Sequence, residues 1–326
     1  MKKFIFSTAS LVLLTFSLSL RADSVLTTIN VGNSEGTGIA ANPATNKIYL
    51  AIDNPGQVVV INGKTQQVIK TIPIQPFAIA IAVNPFTNRV YASGCDSDAC
   101  DIFVIDGKTD TVIATIPIAS GSFIGIQGLA VNPVTDRVYA SDADNQQLIV
   151  IDGKTNTIIT QVSYPGQPSG VGVNPKTNRI YVGNGGFPGE IVVYAGDTNS
   201  EVARILVSSG SSVEGVATDF RLDRAYGTLV GTDTLAVVDG STNQEITEVP
   251  TGSFPLGVDV NLTNNKIYVT NGNSASVTII DGNTNQVLQT LPIPAVRPEK
   301  VAVNLATGLT YVSDFSSDKV IVLQPN

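Results

Sequence analysis

Histidine is absent from this 326-residue chain, and so is tryptophan; there is one methionine and there are two cysteines. Without histidine there is no Ser-His-Asp triad, no imidazole ligand for copper or haem, and no side chain whose ordinary pKa lies near neutrality. Without tryptophan, any aromatic platform for a sugar or quinone must come from tyrosine or phenylalanine. Basic charge is also short: 19 Lys and Arg stand against 27 Asp and Glu, for a net charge of −8. The basic residues are scattered, many of them just before a recurring tyrosine. No basic patch forms, so a nucleic-acid partner is not expected. Beyond the N-terminus no apolar run is long enough to cross a bilayer, and none keeps a 3.6-residue period, so helix content is expected to be very low.

What the chain does have is a repeat. NPATNKIY (42–49), NPFTNRVY (84–91), NPVTDRVY (132–139) and NPKTNRIY (174–181) are close copies, and DFRLDRAY (219–226), NLTNNKIY (261–268) and NLATGLTY (304–311) are looser ones. The tyrosines at 49, 91, 139, 181, 226, 268 and 311 are separated by 42, 48, 42, 45, 42 and 43 residues. A period in the low forties, built of short Val/Ile/Thr/Tyr runs and turns, predicts a seven-bladed β-propeller with four antiparallel strands per blade. The third unit shows the plan: GLAV (128–131), RVYAS (137–141), QLIVID (147–152) and TIIT (157–160), punctuated by Asn-Pro and Asp-Gly. Asn-Pro starts a turn, and Asp-Gly is expected to supply a positive φ at the glycine.

The seventh repeat ends at KVIVLQPN (319–326), one strand short. SVLTTINVG (24–32) has the fourth-strand pattern of QVIKTIPI (67–74) and QVLQTLPI (286–293). The N-terminal strand is therefore expected to complete the last blade and close the ring.

Tyr268-Val269-Thr270-Asn271 spells the motif after which the YVTN β-propeller repeat family is called. With the NPxTN and IDGxTN segments, the chain from 24 to 326 resembles that family, and within it the bacterial periplasmic YncE-like propellers. The resemblance implies the seven-bladed fold. It carries no catalytic residue, because the shared motifs are scaffold.

Residues 1–22 read as a secretory signal peptide: Lys2 and Lys3, then an apolar stretch to Leu20, then small residues before Asp23. A membrane anchor is the competing reading. Residues 23–326 are expected to form one propeller domain, periplasmic or secreted, monomeric, and free of transmembrane spans. Removal of residues 1–22 leaves a net charge of −11. Cys95 and Cys100 flank a hairpin tip in GCDSDACD (94–101), and in an exported protein they are expected to pair as a disulfide. A metal site of Cys95, Asp96, Asp98 and Cys100 is the alternative.

Comparison between repeats separates two faces. The NPxTN and DGxTN loops hardly vary, and they read as structural turns. The loops joining second to third strands, and each blade to the next, vary throughout, and function is expected there. The residues entering the first strands form the mouth of the central channel: Thr37, Ile79, Gln127, Ser169, Glu214, Leu256 and Glu299. Gln127, Ser169, Glu214 and Glu299 are candidate ligand groups. Their oxygens suit Ca²⁺ or Mg²⁺ if a metal binds, although no cofactor is called for. Asp259 and Lys300 replace small residues at otherwise repetitive positions. They are expected to lie near the axis on adjacent blades and to pair; a polar channel site is the competing reading, so both also count among the candidate ligand groups. Phe77, Phe123, Tyr164, Phe187 and Phe254 are the aromatics expected on the same face. The overall reading is an exported, non-enzymatic binding or interaction propeller whose partner is a small molecule or an envelope protein. A metal-dependent lactonase-like hydrolase and a structural cell-envelope protein are the alternatives.

Overall fold

A computed structural model describes residues 22–32, 35–96, 99–118 and 125–326. The expected signal peptide, Asp98 and Phe123 lie outside them. Among the described residues there is no helix. Twenty-eight strands form seven four-stranded antiparallel sheets. Six blades follow chain order, inner strand to outer strand. In blade 7 the order is Pro298–Val303, Thr310–Asp314, Lys319–Gln324 and then the N-terminal strand Ser24–Asn30. The ring closes as the repeat arithmetic predicts.

The closing strand is a full member of its blade. Thr28 faces Ile321 and Ile29 faces Val320, and the register slips between Val25 and Thr27. The same slip recurs at the outer strand of every other blade, for example opposite Val60/Ile61 and Val150/Ile151. Such a bulge bends the strand and increases its twist.

Burial follows from the stacking of blades. Second and third strands have a neighbouring blade on each face, so KIYLAI (47–52) and QVVVIN (57–62) are almost continuously apolar and buried. Outer strands such as Gln67–Pro73 are mostly exposed. Seven apolar clusters result, one in each gap between blades. The gap between blades 1 and 2, for instance, holds Tyr49, Val58, Val60, Ile81 and Val90. The seven repeat tyrosines are all fully buried.

The invariant turns stitch each blade to the next. Asn42 Nδ2 donates to Asn88 Oδ1 at 2.7 Å, and Asn84 to Asp136, Asn132 to Asn178, Asn174 to Asp223 and Asn304 to Asn46 repeat the contact. Asn46, Asn88, Asp136, Asn178 and Asp223 sit at φ of 52–54°, a left-handed conformation that Asn and Asp tolerate. In blades 1, 2, 3 and 5 the basic residue two before the tyrosine reaches the glycine turn of the following blade. Lys47 Nζ bonds Gly107 O and Asp110, Arg89 bonds Gly153 O, and Arg224 bonds Gly282 O. Blade 7 has no such turn, and Asp23 takes its place. Its carboxylate accepts from Lys266 Nζ at 2.5 Å and Tyr268 Oη at 2.8 Å, as Asp110 accepts from Lys47 and Tyr49.

One turn expectation is corrected. In the Asp-Gly turns the positive φ belongs to the residue three after the glycine: Asp110, Asn156, Asn199, Asn243 and Asn285. The glycine serves close approach instead. A Cβ on Gly240 would lie 2.7 Å from Tyr181 Oη and 2.6 Å from Asp223 Oδ1. Glycine is required there because the preceding blade packs against it.

Candidate functional site at the channel mouth

The inner strands enclose an axial channel of about 140 Å³. At one level of its wall stand Gly38, Ala80, Gly128, Gly170, Gly215, Gly257 and Lys300, one from each blade. These side chains must be small because adjacent inner strands nearly touch. A Cβ on Gly128 would lie 2.6 Å from Ser169 O, and one on Gly257 would lie 2.8 Å from Glu299 O. Lys300 breaks the rule, and among the described residues it is the one charged side chain in the channel wall.

One level above lies the mouth. A ring of hydroxyls from the second strands holds its backbone. Thr228 Oγ1 accepts from Gly215 N and donates to Leu256 O at 3.1 Å; Thr270 Oγ1 accepts from Gly257 N and donates to Glu299 O at 2.8 Å. Ser141 bonds Ser169 O and Ser313 bonds Thr37 O in the same way. Blades 1 and 4 carry Ala51 and Gly183 at this second-strand position. There the hydroxyl comes from the mouth residue: Thr37 Oγ1 donates to Ala78 O, and Ser169 Oγ to Val213 O. Thr37 and Ser169 are thus buried inter-blade ties, and the Ser169 hydroxyl proton is already committed. The signal was present in sequence: the two mouth hydroxyls occur in the two blades that lack a second-strand hydroxyl.

Glu214, Glu299 and Lys300 are differently placed. Glu214 is part-buried, with Ser212 Oγ a long 3.4 Å from Oε1. Burial pushes its carboxyl above the usual range, the Lys300 ammonium opposes that shift, and the Glu299 carboxylate adds to it. The three groups therefore share one electrostatic environment although they belong to blades 5 and 7. Glu299 Oε2 is buried without a hydrogen bond, and its nearest cation is Arg297 Nε at 3.6 Å. Arg297 is itself stacked 4.9 Å from the Phe315 ring centre. Blade 6, which stands between blades 5 and 7 in the ring, carries Leu256, which is buried, and Phe254, held at φ 61°. Gln127 also lines the channel.

The expected Asp259–Lys300 ion pair does not form. Asp259 lies on the blade 6 inner strand beside blade 7, as anticipated, but its Oδ1 accepts from Val260 N at 2.8 Å and its Oδ2 from Val303 N at 2.7 Å. The reason is directional. Small residues of the wall face the next blade round the ring, so Asp259 faces blade 7 while the Lys300 position faces blade 1. Burial raises the Asp259 carboxyl to about 6, against the two backbone N–H bonds that lower it.

The aromatics do not gather. Tyr164 is 3% exposed in the core between blades 3 and 4, where its hydroxyl donates to Val182 O. Phe77 and Phe187 are exposed in blades 2 and 4, on separate loops. Cys95 and Cys100 form the expected disulfide, facing one another at the end of the blade 2 hairpin. Among the described residues no three Cys, Asp or Glu side chains come together as a metal-holding group. None of their helices is long and apolar enough to cross a membrane.

No protein-family model matches the chain, and no curated protein matches it. Solved structures do. One is the hydrazine synthase of Kuenenia stuttgartiensis, 14% identical, with a TM-score of 0.79 over 90% of this chain and 96% of that one. The likeness is one of fold. At that identity it carries nothing about chemistry.

Proposed function

We propose that this chain is an exported, non-enzymatic binding propeller that takes a small polar ligand at the channel mouth, on the face of the variable loops. The observation that carries this reading is where uncommitted charge sits. On the invariant face, Asn, Lys, Arg and Asp side chains are used up in ties between blades. At the mouth, Glu214 keeps only a long contact to Ser212, Glu299 meets Arg297 at 3.6 Å, and Lys300 stands in a channel wall of small residues. A preformed concave site with a few converging polar groups is the usual form of a small-molecule site. The YVTN-type repeats and the segment 1–22 support placing this propeller among exported, periplasmic or secreted proteins, and one closed ring suits a monomer. The lactonase-like alternative needs several oxygens aimed at one Ca²⁺ or Mg²⁺. Glu299 faces Arg297 instead, so no observation favours it.

The test is a thermal-shift screen of polar metabolites and divalent metals on residues 23–326, since a ligand of the native state raises the melting temperature. Hits are expected to lose their shift in Glu214→Gln and Glu299→Gln. Hits that keep their full shift in both would place binding elsewhere and overturn the reading.

A further inference from the structure

Lysines that are scattered along the chain recur near the repeat period, so the ring gathers them on one face. The turns after first strands and those after third strands lie at the same end of every blade, because each sheet is an antiparallel meander. Lys64, Lys108 and Lys154 hold the same place in the third-strand turns of blades 1, 2 and 3, and Lys176 lies in the first-strand turn of blade 4. All four are exposed, and among the described residues none is in an ion pair. At the place of Lys176, the first-strand turns of blades 2 and 3 carry Phe86 and Val134, 74% and 68% exposed. These turns have one length in blades 1 to 4, so their tips stand at one height. First strands are innermost, so the apolar tips lie toward the axis and the third-strand lysines toward the rim.

Charge on this invariant face is uneven. In blades 1 to 4 its lysines and arginines outnumber its acids, and in blades 5 to 7 the acids outnumber them. Asp106 and Asp152 stand beside Lys108 and Lys154 and stay ionised, since turn N–H groups hold both carboxyls below the usual range. Blade 1 has Asn62 at that position, which leaves Lys64 without the opposing charge. Arg221, at the place of Lys176 in blade 5, is tied to Asp219 and Asn265. The acid excess of the protein lies mainly on the variable face, in loops such as 142–144 and 314–318. Strands of six and seven residues set the two faces about 20 Å apart, more than twice the screening length of about 8 Å in physiological salt. A surface touching the invariant face therefore meets the basic sector and is screened from the acids.

A planar anionic partner suits apolar tips at one height with ammonium groups outside them. Lipid headgroups part around an aromatic or aliphatic tip without having to match its shape, and their phosphates attract the lysines. A folded acidic partner would need a surface cut to two protruding tips. We propose that the invariant face of blades 1 to 4 docks on an anionic phospholipid surface, with Phe86 and Val134 entering the headgroup layer and Lys64, Lys108, Lys154 and Lys176 lying over phosphates. The channel mouth then points away from the membrane, open to solvent. Docking of this kind needs no ligand at the mouth, so it stands or falls independently of ligand binding there.

The chain has no tryptophan, so Phe86→Trp supplies a single reporter. Residues 23–326 carrying it are mixed with vesicles of phosphatidylcholine alone, or of phosphatidylcholine and phosphatidylglycerol in equal parts. On the anionic vesicles the emission is expected to shift to the blue, and co-sedimentation to be at least about tenfold tighter than on neutral ones. Raised salt should release the protein. Phe187→Trp, on the variable face, should show no shift. The joint change Lys64→Glu, Lys108→Glu and Lys154→Glu should abolish vesicle binding, and Phe86→Ser with Val134→Ser should weaken it several-fold. Lys319→Glu, on the variable face, should leave it intact. All these side chains are exposed, so an unchanged melting temperature separates loss of docking from loss of fold. Equal binding to both vesicle types, equal shifts at 86 and 187, or binding indifferent to the triple change would overturn the proposal. So would failure to bind anionic vesicles, including the case in which a soluble polyanion such as heparin binds through the same lysines without help from Phe86 and Val134.

Discussion

Asp259 is the clearest lever on stability. Its carboxyl sits on the blade 6 inner strand, accepts two backbone N–H bonds and is raised from 3.8 to about 6 by burial. The native state therefore holds this proton more tightly than the unfolded chain does. The sign follows from linkage: the contribution is fully present below about pH 4 and is lost as pH rises through about 6. A shift of about 2 units corresponds to about 3 kcal/mol. Asp259→Asn removes the titration while keeping the shape and one acceptor. Urea unfolding at pH 4 and pH 7 should show that wild type gains about 2 kcal/mol more than the variant on acidification, since at pH 4 the unfolded carboxyl is already partly protonated. Subtracting the two profiles cancels the exposed carboxylates, which both proteins share. Superimposable wild-type and Asp259→Asn pH profiles would refute the reasoning, because the buried carboxyl would then be titrating as it does in water.

Two further outcomes follow from the ties between elements. Asp23→Ala should destabilise by about 3–5 kcal/mol in chemical denaturation, because it leaves the nearly buried Lys266 ammonium without its partner and frees the Tyr268 hydroxyl; a loss under 1 kcal/mol would contradict the role of Asp23 as the missing turn. Intact mass measurement without reduction should show Cys95 and Cys100 joined, and their joint replacement by serine should cost about 2 kcal/mol, the modest figure for a short loop.

Much of the architecture was legible because it is written seven times. The tyrosine spacing gave the blade count, and the missing strand at 326 together with the spare one at 24–32 gave the closure. Strand identity was readable from residue type, since second and third strands are buried on both faces. What a repeat does not encode is which way a side chain leans across the gap between blades. That is why Ser169, read as a candidate ligand, ties itself to Val213, and why Tyr164 lies in the core. The Asp259–Lys300 pairing failed on the same point: equivalent positions face the same way round the ring, so neighbours on it do not face each other. Lys300, like Asp259, stood out in the sequence as an exception to a wall of small residues.

The strand made first by the ribosome is hydrogen-bonded to the strand made last. Ser24–Asn30 has no partner until Lys319–Gln324 exists, so nearly three hundred residues of chain must be laid down before the circle can shut. Each blade can form locally in turn, but the final joint spans almost the greatest sequence separation the chain allows, the kind of contact that slows folding most. The waiting N-terminal strand therefore offers raw, unpaired edges for the whole of synthesis, while the growing arc bares an apolar blade face at each end. Such edges invite pairing with other chains. Ser24, Thr27, Thr28 and Asn30 make four of its seven residues polar, which weakens the waiting strand as a template for other chains.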